Sequence, residues 1–239
     1  MRLAVTRPLA DSVLLKSALE ARGHDVILCP LMEIRLCDTS LDLTGVQALI
    51  ATSANGVRAL ARATSRRDLP LFAVGPATGD AARLAGFAQI EIAGGDSAAL
   101  VKLVQVRLLP GAGRLLHAAG SVVAGDLKGD LEKAGFAVER QILYEARACG
   151  ALPPALGDAL RSQALDGILL FSPRTARLLA QYVNDAGLTG MLGGVAAFCL
   201  SPAVAEAARV LPFARIAVAD TPHEAALVAQ TVVSGAPMK

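Results

Sequence analysis

The chain has no tryptophan, and only 2 tyrosines and 6 phenylalanines among 239 residues, too few rings for a base-stacking platform. Charge of one sign is equally scarce. The 23 Lys and Arg against 21 Asp and Glu leave a formal net charge of +2, without the basic field that releases counterions along a phosphate backbone. Composition therefore argues against nucleic acid as a partner. The four cysteines, Cys29, Cys37, Cys149 and Cys199, form no CxxC pair, and His24, His117 and His223 lie far apart with no ligand spacing. Reduced thiols and no metal are expected, with Cys29 and Cys199 as small core residues in strand-like runs. Long hydrophobic runs are lacking too. The uncharged stretch 186–205 is broken by Gly187, Gly190, Gly193, Gly194, Ser201 and Pro202 into a turn, a short strand (Val195–Leu200) and a new helix start. Before Arg7 and Pro8 there is too little apolar length for a signal peptide, so a cytoplasmic protein without a membrane segment is expected. Neither a GxGxxG nor a Walker pattern occurs, and no Ser/His/Asp ordering, paired carboxylates or metal cluster supports hydrolytic chemistry.

What the chain does have is apolar material, 54% of its residues, enough for one large core or two modest ones. Short apolar runs alternate with helix-period segments, the pattern of βα units around a parallel sheet. Ten strands are read: Leu3–Thr6, Val26–Cys29, Ala48–Thr52, Leu71–Val74, Gln89–Ile92, Arg114–His117, Ala137–Gln141, Gly167–Phe171, Ala196–Leu200 and Arg215–Val218. Helical faces are formed by Leu14, Leu15, Ala18 and Leu19, by Leu100, Leu103 and Val104, and by Ala176, Leu179, Ala180 and Val183. An internal repeat is visible: Ala48–Leu60 lines up with Gly167–Leu179, Phe72–Ala77 with Phe198–Ala203, and Phe87–Ile90 with Phe213–Ile216. A weaker match sets Arg2-Leu3 and Gly23 beside Arg114-Leu115 and Gly135. Two copies of one α/β unit follow, five strands each, and the repeat alone divides the chain near Pro110–Gly113.

In each copy a strand ends in a small polar turn that opens a helix: Thr52-Ser53-Ala54-Asn55, Gly75-Pro76-Ala77-Thr78, Ser172-Pro173-Arg174-Thr175 and Ser201-Pro202. Strand C-termini feeding helix N-termini are where parallel sheets bind ligands, and the positive helix ends suit carboxylate or phosphate. Any one such turn is also what ordinary N-capping produces. Recurrence in duplicate points to an extended anionic ligand held between two domains. Arg7, just after the first strand, is placed to clamp a carboxylate, or else is a surface helix-start residue. Tyr144 falls outside the βα pattern and is either a hydrogen-bond donor at neutral pH or an edge tyrosine with its hydroxyl in water.

Taken together, Val5–Pro8, Thr52–Val57, Phe72–Thr78, Leu143-Tyr144 and Leu170–Pro173 resemble, in order and spacing, the uroporphyrinogen-III synthase family over essentially the whole chain. The resemblance implies two similar α/β domains, each a five-stranded parallel sheet flanked by helices, joined by a two-stranded linker with a cleft between them. Residues 1–35 and 145–239 would form one discontinuous domain and 38–143 an inserted one, with linkers at about 31–37 and 143–149 that bring Cys37 and Cys149 near one another and permit hinge motion. The implied activity is a cofactor-independent hydro-lyase of tetrapyrrole biosynthesis: hydroxymethylbilane, a linear tetrapyrrole with eight carboxylates, is closed with loss of water and inversion of ring D. Holding one folded pose is then most of the catalytic work. By position Tyr144 matches the tyrosine that helps the hydroxyl depart. Thr6, Arg7, Ser53, Ala54, Asn55, Gly75, Thr78, Ser172, Pro173 and Ser201 would bind substrate. The implied partners are hydroxymethylbilane and, transiently, hydroxymethylbilane synthase; a monomer is expected. The chain departs from the family pattern at Ser201-Pro202-Ala203-Val204, where a Gly followed by Thr residues is common, and at His117-Ala118-Ala119-Gly120, where an Arg-Gly and a further Arg are. A non-enzymatic two-domain binder of an anionic small molecule is the rival reading, and a nucleotide-cofactor or sugar-phosphate enzyme a weaker one.

Overall fold

The computed structural model describes residues 1–123 and 125–231; the last residues of the expected first domain, 232–239, lie outside them. Along the chain run β1 (Arg2–Val5), α1 (Leu9–Glu20), β2 (Asp25–Leu28), β3 (Met32–Leu36), β4 (Val46–Ala51), α2 (Ala54–Ala63), β5 (Leu71–Ala73), α3 (Pro76–Leu84), β6 (Ile90–Ile92) and α4 (Ser97–Arg107). They are followed by β7 (Arg114–Gly120), α5 (Leu127–Lys133), β8 (Val138–Ala148), α6 (Pro154–Arg161), β9 (Gly167–Leu170) and α7 (Pro173–Asp185). A 3-10 turn (Thr189–Gly194), β10 (Ala196–Cys199), α8 (Pro202–Ala208), β11 (Arg215–Val218) and α9 (Glu224–Ala229) complete the described chain. Two compact units result: Met1–Glu33 with the chain from Arg147 onward, and Ile34–Ala146.

The first unit is built on a five-stranded sheet in the order β11-β10-β9-β1-β2, its pairs all parallel. Such strands are buried on both faces and read as continuous apolar runs, which is how Gly-Ile-Leu-Leu of β9 and Ala-Ala-Phe-Cys of β10 come to be wholly buried. One face packs on α7 and α8 through Ile168, Leu170, Leu179, Val183 and Val204; the other packs on α1 through Leu3, Val5, Leu15 and Leu19. Leu14, expected on that helical face, is 73% exposed, because the helix turns about 100° between it and Leu15.

The second unit has a six-stranded sheet, β3-β8-β7-β4-β5-β6, where five strands were expected. The added strand is β3, from the segment read as linker. The Cys37 N–H donates to the Leu143 carbonyl and the Cys149 N–H to the Leu31 carbonyl, so β3 and β8 run antiparallel and the second linker simply continues β8. Cys37 falls in the second unit and Cys149 in the first. The other strands of this sheet pair in parallel.

The repeat is realised in the topology. Matching β4, β5, β6, β7 and β8 to β9, β10, β11, β1 and β2 superimposes β6-β5-β4-β7-β8 on β11-β10-β9-β1-β2. Each sheet therefore has one topological switch point, between β9 and β1 in the first unit and between β4 and β7 in the second, where the chain leaves in opposite directions and opens a crevice at the strand C-termini.

Candidate functional site

Most of the residues singled out from sequence lie at or beside the two switch points. In the second unit Ser53 is the N-cap of α2, its Oγ accepting the Gly56 N–H at 3.0 Å, and Ala54 and Asn55 form the first turn. Tyr144, reached by the extension of β8, brings its hydroxyl to 2.9 Å from Ser53 Oγ. Two glycines make this possible. A Cβ on Gly120, the register partner of Tyr144, would lie 2.8 Å from the tyrosine ring, and one on Gly56 would lie 2.7 Å from the Ala118 carbonyl oxygen. Backbone thus approaches ring and helix more closely than any other residue allows. Only one of the two hydroxyl protons is used between Ser53 and Tyr144, so the pair has one left to offer a ligand.

One strand over, Gly75 caps α3, with Pro76 in its first turn. Thr78 is 5% exposed and its backbone N–H is used by the Gly75 carbonyl, so it contributes packing more than an open donor. Asn55 Oδ1 accepts from Arg58 at 2.7 Å.

In the first unit Ser172 caps α7, accepting the Thr175 N–H at 3.1 Å and lying 2.8 Å from the Thr175 hydroxyl, with Pro173 in the first turn. Thr6 is fully buried and its hydroxyl donates to the Leu169 carbonyl at 2.7 Å, tying β1 to β9 across the switch point. Arg7 lies 4.6 Å from the Phe171 ring centroid and pairs with Glu224 at 2.5 Å. Its guanidinium is thus engaged by a carboxylate of its own chain. Ser201 caps α8 without a side-chain hydrogen bond.

Sequence reasoning gave His117 no role at the site. It lies on β7 on the sheet face opposite Tyr144, 2% exposed, with Arg140 of β8 as its register partner. Burial, with Arg140 adding to it, lowers its pKa to about 4, so the ring is neutral at pH 7. Nε2 lies 3.4 Å from Thr52 Oγ1, and Nδ1 is buried without a partner among the described residues. These residues line a cavity of about 120 Å³. Register, not spacing, is the signal that finds this pair. Burial also pushes the Cys29 and Cys199 thiols up to about 11, which makes both poor nucleophiles. Among the described residues no group of three or more His, Cys, Asp or Glu side chains could hold a metal, and no helix is long and apolar enough to cross a membrane.

Two α/β units of repeated topology thus carry capped helix N-termini at their strand ends, with a serine-tyrosine hydroxyl pair in the second. The family profile described as Uroporphyrinogen-III synthase HemD matches residues 14–229, and the chain belongs to that family. Its fold is similar to that of uroporphyrinogen-III synthetase from Helicobacter pylori 26695, with TM-score 0.62 at 16% identity, covering 96% of this chain and 98% of that one. It is also similar to a mutant uroporphyrinogen III synthase from the extremely thermophilic bacterium Thermus thermophilus, with TM-score 0.50 at 19% identity, covering 97% and 100%. Among curated proteins none is significantly similar to the chain.

Proposed function

We propose that the chain closes hydroxymethylbilane to uroporphyrinogen III with loss of water and inversion of ring D, and does so without a cofactor. Family membership across residues 14–229 carries this reading. The chemistry asks for two things, a leaving hydroxyl and one folded pose. Tyr144 Oη, fed by Ser53 Oγ at 2.9 Å, donates to the departing hydroxyl, and the azafulvene cation that remains closes through a spiro intermediate. Capped N-termini of α2, α3 and α7 supply partial positive charge for the substrate carboxylates. Held in this way, the linear substrate has its reacting carbons brought together, a proximity effect that can be worth several kcal/mol. Ser53, Ala54, Asn55, Gly75 and Thr78 in one unit, and Thr6, Arg7, Ser172, Pro173 and Ser201 in the other, are the proposed binding set. Thr6 acts through the backbone it fixes. The protein works as a cytoplasmic monomer, receiving its unstable substrate in transient contact with hydroxymethylbilane synthase.

Freshly generated hydroxymethylbilane supplied to the purified protein, followed by oxidation and chromatographic separation of isomers, tests the proposal. Type III in excess of a protein-free control is expected. Type I alone, from folded protein, refutes it and leaves a binding protein for an anionic small molecule.

A further inference from the structure

The cavity on the α5 side of the second unit is lined by Thr52, His117, Asp126, Lys128 and Arg140 among others. Two of these carry unmet hydrogen-bonding capacity. Among the described residues His117, 2% exposed, has no partner at Nδ1, and Arg140 Nε is likewise buried and unpaired. The rest of the Arg140 side chain is fixed: one terminal nitrogen donates to the Gly120 and Ser121 carbonyls at 2.8 and 3.0 Å. Those bonds orient the guanidinium without neutralising it, and among the described residues no carboxylate pairs with it. A half-buried cation lacking a counter-charge, beside a buried orphan nitrogen, is unfavourable unless something else arrives to satisfy both.

Of the neighbouring acids, Asp126 lines the cavity and keeps its charge, with its carboxylate turned to a backbone donor. Asp126 accepts the Gly129 N–H at 3.0 Å as the cap of α5, and Glu132 lies 3.6 Å from Lys128 in a loose ion pair on the helix surface. The Thr52 hydroxyl lies 3.4 Å from Nε2, which engages one ring nitrogen of the neutral imidazole and leaves Nδ1 as the nitrogen open to a ligand. A volume of about 120 Å³ exceeds what one or two waters need and accommodates a carboxylate with a short methylene stem.

We propose that this cavity is a carboxylate subsite, in which Arg140 and Lys128 hold one acidic side arm of the substrate within the second unit, beside the open His117 ring nitrogen. The inference deepens the proposed function and rests on its reading that the substrate is a polycarboxylate tetrapyrrole.

Steady-state kinetics with hydroxymethylbilane on the full chain and on Arg140→Gln and Arg140→Lys, with folding checked by circular dichroism, provide the first arm. Arg140→Gln is expected to raise KM about tenfold while kcat changes less than threefold, and Arg140→Lys to recover most of the loss. The second arm does not depend on turnover. Long-range 1H–15N spectra of the His117 ring are followed while sodium propionate is added to the wild-type protein, with sodium chloride at equal ionic strength as control. Saturable movement with propionate alone, lost in Arg140→Gln, is expected. An unchanged KM in folded Arg140→Gln, or ring signals that move no more with propionate than with chloride, overturns the subsite. A wild-type protein that forms no type III isomer refutes the parent reading instead, whatever the propionate titration shows.

Discussion

Acidification should weaken this protein through one buried side chain, by an amount the structure sets. His117 is 2% exposed and its pKa in the folded state is lowered to about 4, chiefly by burial and further by Arg140, whereas in the unfolded chain it titrates near its ordinary 6.5. Above pH 6.5 both states are neutral there and nothing is lost. As pH falls below 6.5 the unfolded chain binds a proton that the folded one refuses, so stability declines down to the folded value of about 4. At 1.36 kcal/mol per pKa unit the full difference is about 3 kcal/mol, and at pH 5 about 2 kcal/mol has gone. Carboxylates titrate in the same range, so the test is a comparison. Urea unfolding of wild type and of His117→Gln, each at pH 7.5 and pH 5, isolates the histidine: the wild type should lose about 2 kcal/mol more than the variant between the two conditions. A ring titration by NMR checks the origin directly. A folded-state pKa near 6.5, or the same pH dependence in both proteins, would refute the reasoning.

Gly120→Ala places a Cβ 2.8 Å from the Tyr144 ring; the tyrosine must move, lowering turnover tenfold or more and stability by about 1–3 kcal/mol, and wild-type rates in this variant would show that Tyr144 has no fixed role. Tyr144→Phe should slow formation of type III by about ten- to a hundredfold without abolishing it, since one donor is a smaller effect than the held pose; complete loss in a folded variant contradicts this. Ser53→Ala removes both a helix cap, about 1 kcal/mol, and the partner of Tyr144 Oη, so its effect on rate combined with Tyr144→Phe should be less than additive, as a double-mutant cycle would reveal. In native protein at pH 8 a thiol reagent should label exposed Cys149 first and leave Cys29 and Cys199, held near pKa 11 by burial, unreacted until unfolding; equal rates at all sites would argue against their burial.

Much of this architecture could be read from residue order. Each of the ten expected strands is present within a residue or two, except that β7 and β8 run on beyond their expected ends, because apolar runs such as Ala48–Ile50 and Gly167–Leu170 are long enough to be buried but too short for helices. The aligned stretches Ala48–Leu60 and Gly167–Leu179 also foretold that β4-α2 and β9-α7 occupy matching places. What escaped was set by partners distant in the chain. Met32–Leu36 becomes a strand because β8, more than a hundred residues later, offers it an edge. Leu14 shares helix period with Leu15 yet points to solvent. Ser53 meets Tyr144 across 91 residues, and the family resemblance placed both near substrate without showing that they touch. His117 and Arg140 are partners only through parallel register, which no spacing rule encodes.

The permuted relation between the two sheets also governs how the protein is made. The second unit is continuous from Ile34 to Ala146 and can close its sheet as soon as β8 has left the ribosome. β1 and β2 are synthesised first but lack their neighbour β9, so they wait, paired at most with each other, while roughly 140 further residues emerge over ~7–28 s at ordinary elongation rates. The earliest strands to be born are thus completed last. During that interval the apolar faces of Leu3, Val5, Val26 and Leu28 are those most in need of a chaperone.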